Sequence, residues 1–169
     1  MAHETAADLL ELQELLDQSM SHAGKHLAAI FGETPPVPAG ELVELLSGMQ
    51  VLDLATVTAS GEPRVAPVDG HLYRARWLFG TAPNAARARH LAARPAVSAA
   101  HTRGEGPCVI THGYAEPVDL RTREAAPIVE FLRVAYPTFD EWMSLDNPYW
   151  TIRPTRMYVR WPRDQAGAA

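Results

Sequence analysis

Apolar residues near the N-terminus recur at spacings of three and four, which is the period of one face of a helix. The stripe comprises Leu9, Leu12, Leu16, Met20, Ala23, Leu27 and Ile30. It predicts one amphipathic helix that begins at a capping box formed by Thr5 and Asp8 and ends at Gly32. We expect the stripe to pack either on the chain's own core or on a second copy of the chain, and the pattern does not favour one of these.

A stiff, extended linker over residues 33–40 is predicted from Pro35, Pro36 and Pro38. A short helix over residues 41–48 follows, with several leucines on one face. We therefore divide the chain into an N-terminal helical appendage with its linker, residues 1–40, and a main domain, residues 41–169.

Three strand-like runs lie in the centre of the chain, over residues 51–58, 64–68 and 76–81. Pro63 and Pro67 favour an edge or bulged position for the second run, because proline cannot donate to a strand ladder. A helix over residues 85–93 is predicted next, with Asn84 as its N-cap and Pro95 as its stop.

The remaining chain predicts a strand over 96–101 and another over 108–118 that is broken or bulged at Gly113. A mainly helical region over 121–144 is interrupted by Pro137, and a final strand covers 156–161. About six strands and three or four helices result, which is a mainly β chain with flanking helices of the α+β class.

The third strand-like run ends at Thr81 and leads through a turn into a helix that carries Arg87 and Arg89 early in its length. A helix N-terminus favours an anion because its first N–H groups lack partners and the helix dipole is positive there. Guanidinium groups add charge-assisted hydrogen bonds to such a ligand. The pattern therefore predicts a phosphate-binding site.

Charge is divided unevenly along the chain. Residues 1–62 contain ten acids and one base, whereas residues 63–169 contain ten acids and fourteen arginines. Six arginines and one acid lie between Arg64 and Arg94. A basic segment within a protein of net charge −5 favours a small anionic ligand over nucleic acid. Fourteen arginines against one lysine are typical of a GC-rich bacterial genome.

Several classes of function lack their sequence signals. No apolar run reaches the roughly 18 residues of a membrane span, and the first residues lack the features of a signal peptide. The single cysteine, Cys108, indicates a reducing cytoplasm. The spacing of His71, His101 and His112 does not indicate a metal site. Hydrolase, Walker and Rossmann motifs are missing.

The order of the central motifs resembles the pyridoxamine 5'-phosphate oxidase-like, FMN-binding split-barrel superfamily over residues 42–120. The segments that carry the resemblance are LATVTASGEPRVAPV, LFGT and RARHLAARPAVS. The resemblance implies a six-stranded split β-barrel with Greek-key connections. It also implies a homodimer with cofactor sites at the interface between the subunits.

The resemblance also implies the residues of a cofactor site. The isoalloxazine ring would be lined by Arg64, Val65, Ala66 and Pro67. The phosphate would be bound by Thr81, Arg87 and Arg89. Trp150, which we place on a C-terminal loop, is a further candidate for contact with the ring. His90 stands where the superfamily most often has asparagine, so the polar contact there is open.

The function that the resemblance implies is an FMN-dependent oxidoreductase that transfers a hydride or an electron pair to a small-molecule substrate. The flavin supplies the chemistry in such proteins, so no catalytic residue is assigned. The arginine-led C-terminal motif of true pyridoxamine phosphate oxidases is missing, and that reaction is not predicted. One alternative is a reductase that uses the 8-hydroxy-5-deazaflavin coenzyme, with Arg74, Arg76 and Arg94 along its acidic tail. Another is a non-catalytic flavin- or haem-binding protein.

Overall fold

The computed structural model describes residues 3–142, 145 and 147–162. Within them, six strands form a closed antiparallel barrel. The strands are β1 (Gln50–Val57), β2 (Pro63–Tyr73), β3 (Arg76–Gly80), β4 (Ala96–Thr102), β5 (Cys108–Val118) and β6 (Tyr149–Arg160). Their order around the barrel is β1-β2-β3-β6-β5-β4. The predicted six-stranded barrel is therefore confirmed.

Helices surround the barrel in the same described residues. They are α1 (Ala6–Ser21), α2 (Lys25–Phe31), α3 (Ala39–Leu45), α4 (Ala86–Ala93), α5 (Ala126–Ala135) and α6 (Phe139–Trp142). None of the helices in this part of the chain is long and apolar enough to cross a membrane.

Strand β2 has one half with an open edge. Its whole length up to Gly70 pairs with β1, but only residues 70–73 pair with the short strand β3. Pro63 and Pro67 lie in the half that pairs with β1 but not with β3. Because no strand of the described residues pairs with the other edge of this half, proline's lack of an N–H group removes no hydrogen bond there. The predicted edge character is therefore found in this half of the strand.

Strands β5 and β6 form the longest pairing, and its register shifts between His112 and Gly113. A Cβ atom at Gly113 would overlap the main-chain carbonyl of Arg153. The close approach of the two backbones therefore requires glycine, and the predicted bulge is confirmed.

The barrel interior is filled by aromatic and aliphatic side chains. The Nε1 atom of Trp77 donates to Oγ1 of Thr111 at 3.0 Å, so the one polar atom of this buried ring has a partner. The rings of Phe79 and Trp150 lie 6.0 Å apart in a stacked arrangement.

The N-terminal stripe forms two helices, α1 and α2, so the prediction of a single helix was wrong. The capping box at Thr5 and Asp8 is confirmed. Helix α1 has its C-cap at His22, and Gly24, which has an extended conformation, is the N-cap of α2. Glycine lacks a Cβ and loses more entropy in a helix than other residues, so it interrupts a pattern that is otherwise continuous.

Helix α1 packs on the chain's own barrel. Leu12 and Leu16 belong to the main core, and they are 1% and 7% exposed. The hydroxyl of Ser19 accepts a hydrogen bond from the backbone N–H of Met157 in β6, at 2.9 Å. Of the two predicted positions for the stripe, the chain's own core is the one observed. The division of the chain at residue 40 stays a prediction.

Two further boundaries differ from the prediction. Ala85, not Asn84, is the N-cap of α4, and no side chain caps this helix. The last strand begins at Tyr149, so Trp150 lies in β6 and not on a loop. Helix α5 ends at Ala135 with Tyr136 as its C-cap, directly before Pro137, as proline requires. Part of the predicted helical region, residues 143 and 144, lies outside the described residues.

Candidate functional site

A cleft of about 340 Å³ lies between the open half of β2 and the start of α4. Four of the eight residues predicted to bind the cofactor line it, namely Arg64, Val65, Ala66 and Arg87. The remaining lining residues are Leu54, Thr56, Thr58, Ala85, Ala86 and His90. The structure therefore brings residues 64–66 of β2 and Arg87 of α4 to the same cleft.

Arg87 connects α4 to the open edge of β2. Its Nη1 atom donates to the main-chain oxygen of Pro67 at 3.0 Å. Arg87 lies in the first turn of α4, where unpaired N–H groups and the helix dipole favour negative charge. Pro67, the fifth predicted residue, thus borders the cleft through its backbone.

The second arginine of the cleft, Arg64, is held weakly. It pairs with Glu62 at 2.8 Å, and both side chains are 57% exposed. A pair this exposed is screened by water and contributes little to stability. The guanidinium of Arg64 is therefore available to an anionic ligand at small cost.

Thr56 and His90 are residues of the cleft that the sequence did not assign to it. Oγ1 of Thr56 and Nδ1 of His90 lie 3.0 Å apart, in a half-buried contact between β1 and α4. The alternation of β1 places Thr56 on the inward side with Leu54, and that alternation is the signal that could have found it. The imidazole of His90 thus contacts Thr56 in the unliganded protein, and its contact with a cofactor stays open.

Thr81 lines a different cavity, of about 320 Å³, between the outer faces of β2 and β3 and the helix α5. We call it the α5 cavity. Its polar walls include Asp69, His71, Tyr136 and Tyr149. The backbone N–H of Thr81 donates to the carbonyl of Pro148 at 3.2 Å.

The polar groups of the α5 cavity influence one another. Nε2 of His71 lies 2.9 Å from the hydroxyl of Tyr136. Burial lowers the pKa of His71, and the charge of Asp69 opposes that effect in part. Burial, with a smaller contribution from Asp69, raises the pKa of Tyr136 to about 12. The pKa of Tyr149 is also raised, mainly by burial and then by Tyr136 and Asp69.

Solved structures with this arrangement of strands come from several proteins. A haem-binding protein from Mycobacterium smegmatis is 22% identical over 69% of this chain and 50% of its own, with a TM-score of 0.57. An FAD-binding protein from Mesorhizobium loti is 20% identical over 73% of this chain and 94% of its own, with a TM-score of 0.57. An F420 reductase is 20% identical over 68% of this chain and 93% of its own, with a TM-score of 0.51.

The chain shares the fold of these proteins, and in its described residues that fold is a closed, six-stranded antiparallel barrel. It spans half of the mycobacterial protein and 60% of a protein of unknown function from Agrobacterium tumefaciens, which is 21% identical over 75% of this chain with a TM-score of 0.58. No protein-family model and no curated protein matches the chain.

Two further residues that were predicted to contact the cofactor lie outside the cleft. Arg89 is exposed, and its Nη1 atom donates to the carbonyl of Asn84 at 3.0 Å. Trp150 is 5% exposed and stacks on Phe79 inside the barrel. The structure does not bring either side chain to Arg64 and Arg87, and their roles stay predictions.

The arginines that were expected to contact the acidic tail of a deazaflavin coenzyme have other partners within the chain. Arg76 pairs with Glu11 at 3.6 Å and with Glu116 at 3.4 Å. Nε of Arg94 donates to the carbonyl of Val57 at 3.0 Å. Arg74 lies over the ring of Tyr73, and ten residues of strand, about 30 Å, separate it from Arg64.

The remaining histidines named in the sequence analysis make local hydrogen bonds. Nδ1 of His101 lies 3.0 Å from the carbonyl of Val51, and Nδ1 of His112 lies 2.7 Å from the hydroxyl of Ser98. Over residues 3–142, 145 and 147–162, no three metal-ligating side chains converge.

Proposed function

We propose that this protein binds FMN in the cleft between β2 and α4 and acts as a flavin-dependent oxidoreductase. The observation that carries the proposal is the meeting of Arg64 and Arg87 at one cleft whose wall is an open strand edge. The fold neighbours include a haem-binding protein, an FAD-binding protein and an F420 reductase, which supports a flavin-type ligand but does not single out FMN.

The residues present fit the two parts of FMN. A phosphate needs cationic donors, and Arg87 at an uncapped helix N-terminus with the weakly paired Arg64 meets that need. A flat ring system needs an apolar wall with main-chain polar groups along it. Val65 is 65% exposed, and the backbone of residues 63–69 lacks a β3 partner on its open side.

The chain's own residues would bind and orient the cofactor. Arg87 and Arg64 would hold the phosphate, and the open edge of β2 from Val65 to Pro67 would face the ring. When bound, FMN would supply hydride or electron-pair transfer. No side chain of the cleft is assigned a catalytic role, and Arg89 and Thr81 are not part of this proposal.

FMN is preferred to the deazaflavin coenzyme because of the positions of the other arginines. An acidic tail would need several exposed cations close to the cleft. Arg76 is engaged by two glutamates, and Arg74 lies at the far end of β2. Arg94 is near β1 but is already bonded to the carbonyl of Val57.

Haem binding is the second candidate, and His90 is the observation that favours it. His90 lies in the cleft and is half-buried, and among the described residues its imidazole has one hydrogen-bond partner, Thr56. An imidazole in such a position is a common axial ligand of haem. Haem binding without turnover would make the protein a carrier or a sensor.

We also propose that the protein forms a homodimer through the uncovered outer face of β1, β2 and β5. Val51, Val65 and Tyr114 on these strands are 52%, 65% and 43% exposed. Large apolar side chains that are exposed on the outside of a barrel favour association with a second copy. Light scattering should give the mass of a dimer, and a monomer at micromolar concentration would contradict this proposal.

The experiment that tests the cofactor proposal compares FMN with riboflavin, which lacks the phosphate. Flavin-free protein would be titrated with each, and the quenching of flavin fluorescence would be measured. FMN should bind about tenfold to a hundredfold more tightly, which is the contribution of one or two charge-assisted phosphate contacts. Equal affinities would contradict the phosphate site. A Soret band on addition of haem, with no flavin binding, would favour the second candidate.

A further inference from the structure

The carboxylate of Asp69 lines the α5 cavity. Asp69 lies on the outer face of β2, and its side chain is exposed. Among the described residues, no hydrogen bond or ion pair holds its carboxylate. None of the described residues that line the cavity is a lysine or an arginine. Burial disfavours the charged form of His71, so the histidine does not compensate Asp69.

The other walls of the α5 cavity are apolar and aromatic. Leu78 of β3 and Leu132 of α5 are both buried and line it. The rings of Tyr136 and Tyr149 also line it. Aromatic faces attract cations through their quadrupole, and they also accept flat apolar groups.

Size is consistent with a small organic ligand. An apolar cavity of about 150 Å³ is sufficient for benzene, and the α5 cavity measures about 320 Å³. A single aromatic ring with a short polar arm therefore fits within the volume. Bound water alone would leave the apolar walls of Leu78 and Leu132 without favourable contacts.

We propose that the α5 cavity binds a small organic cation, such as a protonated amine on an aromatic or apolar body. The ammonium group pairs with Asp69, and the body lies among Leu78, Leu132 and the two tyrosine rings. The hydroxyl of Tyr136, which lies 2.9 Å from Nε2 of His71, belongs to a residue that lines the same cavity. An anion is disfavoured because it would meet the charge of Asp69, and none of the described residues that line the cavity is a lysine or an arginine.

This site goes beyond the proposed function and does not require a flavin in the β2–α4 cleft. The two sites have opposite charge, with Arg64 and Arg87 at one and Asp69 at the other. A phosphate-bearing ligand and an amine would therefore select different sites on one protein.

The test uses the full chain without flavin and three probes of one shape: benzylamine at neutral pH, benzyl alcohol and benzoate. Affinities would be measured by calorimetry. Benzylamine should bind at least about tenfold more tightly than benzyl alcohol, and benzoate should bind most weakly. Asp69→Asn should abolish the preference of the protein for benzylamine over benzyl alcohol.

Asp53→Asn is the matched control, because Asp53 is an exposed aspartate on β1 that lines none of the cavities described. It should leave all three affinities unchanged. Asp69→Lys should reverse the order and favour benzoate, provided that thermal unfolding shows a folded protein. Equal binding of benzylamine and benzyl alcohol by the native protein, or an unchanged preference in Asp69→Asn, would overturn the proposal.

Arg87→Ala separates this proposal from that of the flavin site. It should weaken FMN and leave benzylamine binding as it is. Loss of flavin binding with retained selection of the amine would leave the α5 cavity proposal standing. Retained flavin binding with no selection of the amine would overturn the α5 cavity proposal alone.

Discussion

The Nη1 atom of Arg87 lies 3.0 Å from the main-chain oxygen of Pro67, and this hydrogen bond joins α4 to the open edge of β2. The carbonyl is available because β3 is too short to pair with this part of β2. One contact thus keeps a cationic side chain beside a strand edge in the unliganded protein. A ligand that binds there meets a site whose walls are already in place, which lowers the entropic cost of binding.

Arg87→Ala should weaken FMN binding about tenfold to a hundredfold, because it removes one charge-assisted contact with the phosphate. Fluorescence titration measures the change. Arg89→Ala is the control, since Arg89 lies on the same helix but points to the carbonyl of Asn84. Equal losses in both variants would show that Arg89 belongs to the site after all.

Ser19→Ala should lower the free energy of unfolding by about 1–3 kcal/mol, because it leaves the buried N–H of Met157 without an acceptor. Urea denaturation measures the change. Ser21→Ala is the control, because Ser21 is exposed at the end of the same helix and bonds only locally. Similar stabilities of the two variants would argue against the contact between α1 and β6.

Leu12→Ala should cost about 2–5 kcal/mol, the usual range for a buried leucine, because Leu12 is 1% exposed within the main core. Leu10→Ala should change stability far less, since Leu10 is 67% exposed on the same helix. Thermal or urea unfolding of the pair tests whether α1 is part of the barrel's core. If both substitutions cost little, α1 does not pack as described.

The buried His71 should make stability depend on pH. Burial lowers the pKa of His71 in the folded protein, whereas the unfolded chain keeps a value near 6.5. The unfolded chain then binds the proton more readily, so the free energy of unfolding falls as pH drops below about 6.5. The fall stops once pH lies below the lowered pKa.

Urea unfolding across this pH range, compared between the native protein and His71→Gln, isolates that effect. The variant should lose part of the slope, whatever its absolute stability. His26→Gln, at an exposed position in α2, should keep the native slope. A slope that is identical in His71→Gln and in the native protein would show that the histidine does not titrate differently on folding.

Local patterns in the sequence predicted most of the barrel. Strands β1, β3, β4 and β5 and the bulge at Gly113 follow from alternation, β-branched residues and glycine, which act within a few positions. The arginines at Arg64 and Arg87 were assigned to one site because the order of motifs resembles a known fold. Their meeting depends on how α4 folds back, and it appears only in the structure.

The remaining features depend on contacts that a local pattern does not encode. Trp150 follows Asn147 and Pro148, which predict a turn, but pairing with β3 and β5 makes it part of a strand. The break after α1 depends on Gly24, which a continuous apolar stripe hides. The α5 cavity joins Asp69 to Tyr136, residues from elements that are far apart in sequence.

Strand β6 also sets the order in which the chain can fold. It pairs with β3 on one side and with β5 on the other, so the barrel stays open until the last described strand has been synthesised. Ser19 meets its donor Met157 across 138 residues of chain. Contacts this distant in sequence form slowly. A nascent chain therefore emerges with the apolar side of α1 uncovered, and it needs protection from aggregation until its C-terminal strand arrives.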